Sequence, residues 1–185
     1  MNRPFPRWRL LAAALLAIAG SASPGARADQ VVAQIDFRPI DNEELLLFAT
    51  RFFYGHFPSP PNWSFGSRFS HRENWTTVLR AHGFAALVDL DDHGARELVV
   101  MTDDPDWCDS DGCLGTIFRP SPSNYEFRKA YEYICQVPVS LKDTAILAQK
   151  ENGYHLLETK AYIIHWYSGQ ESDSGNLCST EIRPK

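Results

Sequence analysis

The sequence predicts an α+β domain: two N-terminal helices followed by a mainly antiparallel β-sheet of about five or six strands. Three observations carry this expectation. Apolar residues recur at helical spacing from Leu45 to Phe53 and again from Trp75 to Leu79. From Phe84 onward they alternate or run in short blocks between turn dipeptides such as Asn152-Gly153. Helical and strand patterns are also segregated along the chain, whereas an α/β protein would interleave them.

The first 28 residues are read as an address and not as part of the fold. MNRPFPRWR carries three arginines and no acid, Leu10 to Ala19 is a ten-residue apolar run, and small residues lead to Ala26-Arg27-Ala28. That order is the order of a secretory signal peptide cleaved after Ala28. The apolar run is half the roughly 20 residues that cross a bilayer, so no membrane anchor is expected after cleavage. The first cysteine, Cys108, is far from the cleavage site, which argues against an acylated anchor. Residues 29–185 are therefore expected to form a single exported domain, periplasmic or secreted.

Val31 to Phe37 is apolar and alternating and reads as a first strand or an extended lead-in. Asp41 is the expected N-cap of the first helix, with Glu43 and Glu44 placed favourably in the first turn. Leu45, Leu46, Phe48, Ala49, Phe52 and Phe53 form a stripe that suits core packing, and the helix should fade near Tyr54-Gly55. Phe57 to Phe69 is rich in Pro, Ser and Gly and reads as a loop. Ser70 and Glu73 fit a capping box for a second helix, which His82-Gly83 should end with a left-handed glycine. Phe84 to Leu90 and Arg96 to Thr102 then read as a hairpin around Asp91–Ala95. Strand patterns follow at Leu114–Pro120, Tyr125–Val139, Thr144–Gln149 and Glu158–Gln170, and the tail reads as irregular.

The whole chain has 18 Lys and Arg against 23 Asp and Glu. Four of the arginines (Arg3, Arg7, Arg9, Arg27) lie in the leader, so 14 remain against 23 acids and the exported part carries −9. Such a balance disfavours nucleic acid and anionic membrane. Four cysteines, an even number in an exported chain, predict disulfides. Three connectivities exist. The favoured one is Cys108–Cys113, across a short turn containing Ser110 and Gly112, with Cys135–Cys178 left by elimination.

Two acidic loops are candidate cation sites. In Asp89-Leu90-Asp91-Asp92-His93-Gly94-Ala95-Arg96-Glu97, the residues Asp89, Asp91, Gly94 and Glu97 keep the spacing of a calcium loop. His93 stands where the third oxygen ligand belongs, and imidazole suits calcium poorly. In Thr102 to Gly115, Asp109 and Asp111, with Asp103, Asp104 and Asp106, could gather round a divalent ion or simply face water. His155 and His165 could face each other across a hairpin, yet no third ligand stands at recognisable spacing. There is no nucleophile elbow, no phosphate loop and no H-E-x-x-H.

The stretch Asp89 to Met101, followed by Trp107 to Cys113 and later Asn152-Gly153-Tyr154, resembles a family of uncharacterised exported bacterial proteins. Those carry D-L-[ND]-x-[DN]-G-x-x-E, then W-C-G-S-G-G-C, then an N-G-[WY] turn. The resemblance spans about Phe84 to Gln170. It implies a secreted, disulfide-linked, β-rich domain with no established activity. This chain departs from the pattern at Asp109 and Asp111, where glycines are usual, and at His93.

Together these features predict a non-catalytic exported binding or structural protein, disulfide-stabilised, with an unknown protein or small ligand as partner. No catalytic residue is assigned, and the expected cofactor is none, or Ca²⁺ at Asp89, Asp91, Glu97, Asp109 or Asp111. One alternative is an inhibitor or immunity-type protein whose acidic loop blocks an envelope-acting enzyme. The other is a metal-assisted periplasmic hydrolase using the acidic loops.

Overall fold

The computed structural model describes residues 30–57, 72–121, 131–167 and 177–183. The leader, the loop after the first helix and the capping box at Ser70 lie outside the described residues, as do the predicted strand residues 125–130 and 168–170. In chain order the elements are β1 (Val31–Gln34), β2 (Arg38–Pro39), α1 (Glu43–His56), α2 (Arg72–His82), β3 (Gly83–Val88), β4 (Glu97–Thr102), a 3₁₀ turn (Pro105–Trp107), β5 (Cys113–Pro120), β6 (Tyr131–Val139), β7 (Ala145–Glu151), β8 (Tyr154–Glu158), β9 (Tyr162–Trp166) and β10 (Cys178–Ile182).

The α+β class holds, and the arrangement differs from the one expected. Among the described residues there are two five-stranded antiparallel sheets, ordered β1-β7-β8-β9-β10 and β2-β3-β4-β5-β6. Two short strands precede the helices, so the helices sit between strands. Alternation along a strand reveals which face is buried and says nothing about which strand lies beside it. The first-strand reading of the segment from Val31 is met by β1, whose partner β7, reached through Val31↔Leu147 and Gln34↔Ala145, the alternation did not name. The tail also forms a strand, β10. Its Ser, Thr and Glu face outward or to the edge, and only Cys178 is buried, so no apolar periodicity marks it.

Three layers result. The inner faces of both sheets share one buried cluster, with Val99, Met101, Ile117 and Val137 from one sheet and Leu147, Leu157, Ile164 and Trp166 from the other. The opposite face of the second sheet carries Leu98, Val100 and Phe118, which pack against Leu46, Phe53, Trp75 and Leu79 of the helices. Covered on both sides, β4 is buried at all six positions, as its unbroken apolar run suggests. The helical layer is largely aromatic: Phe53 and Trp75 meet at 5.0 Å, Trp75 and Trp107 at 4.5 Å, and Phe52 and Phe118 at 4.8 Å.

Both helix boundaries differ in detail from expectation. The N-cap of α1 is Asn42, whose Oδ1 accepts from the Leu45 amide at 3.0 Å; Asp41 lies one residue too early for that bond. We expect Asn42→Ala to lower stability by about 1 kcal/mol, read from chemical denaturation. Gly83 is not a left-handed cap. It is the first residue of β3, and a Cβ there would stand 2.2 Å from the Leu79 carbonyl oxygen. It is glycine because the strand leaves the last turn of α2 at backbone contact distance.

Both disulfides are present. Cys108 and Cys113 are joined across an isolated antiparallel bridge with Cα atoms 3.9 Å apart. Cys135 of β6 is joined to Cys178 of β10 with Cα atoms 5.9 Å apart, so this bond links the edge strands of the two sheets. Two such bonds fit a chain that folds in an oxidising compartment. No described helix is long and apolar enough to cross a membrane.

Candidate functional site

The β3–β4 turn is built by its own side chains. Asp92 (φ 63°) and Gly94 (φ 79°) occupy the left-handed region, which Asp tolerates better than most residues and glycine adopts without strain. The Gly94 amide donates to Asp89 Oδ2 at 3.1 Å, and the His93 amide donates to Asp91 Oδ1 at 2.9 Å. The Leu90 amide donates to Glu97 Oε2 at 2.8 Å. These bonds turn the three carboxylates inward, and one ligand oxygen from each of Asp89, Asp91 and Glu97 lies within 4.8 Å of the others. Among the described residues this is the one group of three or more acidic, His or Cys side chains so placed.

The electrostatics of this cluster are unbalanced. Glu97 is 1 % exposed and shares the inter-sheet face of β4 with Val99 and Met101. Its burial, together with the negative charges of Asp91 and Asp89, holds its carboxyl above the ordinary range despite the Leu90 amide. Burial also pushes Asp91 upward, but the amide and imidazole of His93 outweigh it and leave Asp91 below the ordinary range. Asp89 Oδ1 has no accessible surface and no hydrogen-bond donor among the described residues. No Lys or Arg among them forms an ion pair with Asp89, Asp91 or Glu97. Two like charges at this separation repel by about 3 kcal/mol in the partly solvated surroundings of a protein surface.

A neighbouring set of contacts fastens this turn to the other sheet. Lys150 of β7 pairs with Asp92 and donates to the Asp91 carbonyl at 3.1 Å. The His155 amide of β8 donates to the Leu90 carbonyl at 2.7 Å. His155 Nδ1 bonds the Leu147 carbonyl at 2.6 Å and Nε2 faces Asp92 at 3.3 Å. Lys150, with His155 contributing, holds the Asp92 carboxyl below its ordinary range. Nothing in the sequence pairs positions 92 and 150, because their proximity depends on how the two sheets stack. His155 and His165 do not face each other: Leu157 stands opposite Ile164, which puts His155 opposite Trp166. His165 lies between Glu151 and Glu181, 3.1 Å from each.

Asp109 and Asp111 stand at the other end of β4, about 20 Å away along a six-residue strand. Asp109 Oδ1 accepts from the amides of Asp111 and Gly112 at 2.8 and 3.0 Å. Asp111 accepts from the Ser110 hydroxyl at 3.1 Å and from the Tyr162 hydroxyl at 3.0 Å. Asp104 accepts from the Asp106 amide and Asp103 meets His82. The carboxylates of this loop are dispersed among local donors. The nearby base Arg119 pairs with Glu132 and not with them.

Five cavities of 230–640 Å³ among the described residues are lined by residues other than Asp89, Asp91 and Glu97. No family model, no curated protein and no solved structure matches this chain.

Proposed function

We propose that this chain is an exported, disulfide-stabilised, non-catalytic binding protein whose β3–β4 turn is completed by a hard divalent cation, calcium foremost. The observation that carries the cation is the convergence of Asp89, Asp91 and the buried Glu97, with His93 against Asp91 and no Lys or Arg partner among the described residues. Carboxylate oxygens are the ligands calcium takes, and a dication offsets a repulsion that the described side chains leave in place. Asp89 Oδ1, buried without a donor, supplies an unused acceptor. Such an ion would be structural: it sets the hairpin, and the layers carried by the hairpin do the binding. The signal-peptide order of segments ending at Ala28 and the two disulfides support a periplasmic or secreted location, and the resemblance to exported bacterial domains agrees with it.

Calorimetric titration of EDTA-stripped protein with CaCl₂ tests this reading. One site per chain and a rise in melting temperature are expected, with MgCl₂ weaker because Mg²⁺ demands a tighter octahedral shell. Absence of both heat and thermal shift with Ca²⁺, Mg²⁺ and Mn²⁺ would overturn the cation site.

A further inference from the structure

At the opposite end of the molecule, among the described residues, a strand edge lies open beneath the disulfide loop. β10 is the outermost strand of its sheet. The Tyr167 amide donates to the Leu177 carbonyl and the Arg183 amide donates to the Ala161 carbonyl, both at the ends of the β9–β10 ladder. With Cys178↔Trp166 through Ile182↔Tyr162 in register, the odd-numbered residues of β10 bond to β9. The amides and carbonyls of Thr180 and Ile182 therefore point away from the sheet. Both residues are exposed, Ile182 by 75 %.

Across that edge stands β6, the outermost strand of the other sheet. The two edges touch where the Leu177 amide donates to the Ile134 carbonyl at 3.0 Å and where Cys135 is bonded to Cys178. Beyond that contact lies a groove of about 640 Å³ between Thr180 and Gln136–Pro138, walled by Trp107, Phe57 and Asp109. A second, of about 550 Å³, is lined by Ile182, Tyr162, Ala161, Asp111, Lys160 and Arg183. The loop Cys108–Cys113 borders both, propped by the bond from Tyr162 to Asp111. Thr180 and Ile182 share the face of Cys178, so both look toward the loop.

We propose that the β10 edge docks an extended peptide of a partner protein as an added strand, with an Arg or Lys facing Asp109 and an apolar residue two positions away facing Ile182. Main-chain bonds to Thr180 and Ile182 supply affinity, and alternate side chains supply specificity, as in other strand-addition complexes. The groove at Thr180 has aromatic walls for the stem of a basic side chain and the Asp109 carboxylate for its head. At the other groove, Lys160 and Arg183 disfavour a second base, while Ile182, Ala161 and Tyr162 favour an apolar group. A second copy of this chain is disfavoured because it would bring a second acidic loop to the same cleft. This inference names a partner class for the binding-protein reading and is independent of the cation.

Fluorescence anisotropy with labelled, end-blocked octapeptides centred on Arg-Thr-Leu tests it, with hydrogen exchange reporting the site. Binding with protection of the Thr180 and Ile182 amides is expected. Changing the Arg of the peptide to Glu, or its Leu to Lys, should weaken binding at least tenfold. Thr180→Pro removes an outward amide and no bond to β9, and should weaken binding at least tenfold. Asp109→Asn, which keeps the acceptor for the Asp111 and Gly112 amides, should weaken it about fivefold. No binding of the Arg-Thr-Leu peptide, protection elsewhere, or less than a twofold change in both variants overturns the proposal. So does a concentration-dependent dimer, seen by sedimentation, that Thr180→Pro abolishes. Running the series in EDTA and in CaCl₂, and with Asp89→Asn, separates its failure from failure of the cation site.

Discussion

The double variant Cys135→Ala/Cys178→Ala is expected to lose about 4 kcal/mol of stability, and Cys108→Ala/Cys113→Ala about 2 kcal/mol. The difference follows from loop length: the first bond closes a separation of 43 residues and the second a separation of 5. In the chain-entropy account the stabilisation grows with the logarithm of the closed loop. The first bond also joins edge strands of different sheets, and its sulfurs belong to the inter-sheet cluster, where Cys135 is 0 % and Cys178 7 % exposed. At about 2–4 °C per kcal/mol for a domain of this size, the melting temperatures should fall by about 8–16 °C and about 4–8 °C. Calorimetry of both variants against the parent checks the ranking. Equal losses, or a larger loss for the short loop, would refute it.

Glu97→Gln is expected to act in opposite directions with and without calcium. Glutamine keeps an oxygen for the Leu90 amide and removes the buried charge. In the ion-free parent the Glu97 carboxyl titrates above its ordinary range because it is buried beside Asp91 and Asp89. The folded state therefore holds that proton more tightly than the unfolded chain does. Stability from this group is greatest below the ordinary glutamate value and declines as pH rises through the folded value. Each pH unit between the two is worth about 1.4 kcal/mol. In EDTA at neutral pH the variant should thus melt above the parent, and the two should converge as pH falls below the glutamate range. With calcium the order reverses. At a hundredfold excess over Kd an ion adds about 2.7 kcal/mol to the parent, or about 5–11 °C, and little to the variant. Melting curves across pH in EDTA and CaCl₂ decide the matter, and a variant as calcium-responsive as the parent would remove Glu97 from the site.

Local features were legible in the chain and lateral ones were not. The turn at Asp89–Glu97 could be read because its geometry depends on Asp92, Gly94 and amides a few residues away. The helix of Leu45–Phe53, the β3–β4 hairpin and the Cys108–Cys113 pairing are equally local. The division into two sheets was hidden because β1 and β7, or Asp92 and Lys150, meet only after separate strands stack. β10 was hidden for a different reason: an edge strand with one buried side chain carries no period. The convergence of Asp89, Asp91 and Glu97 followed from spacing, but the burial of Glu97 did not. It arises because β4 is covered on both faces, a property of its neighbours more than of its own residues.

The cysteines pair first with second and third with fourth. A chain oxidised as it emerges from a translocation pore, N-terminus leading, meets its partners in that same order. Cys108 finds Cys113 before Cys135 has appeared, and Cys135 then has Cys178 alone left to join. Native connectivity is thus also the connectivity of fastest encounter. For a chain exported as proposed above, an oxidant that acts in order of emergence would be enough to set this connectivity.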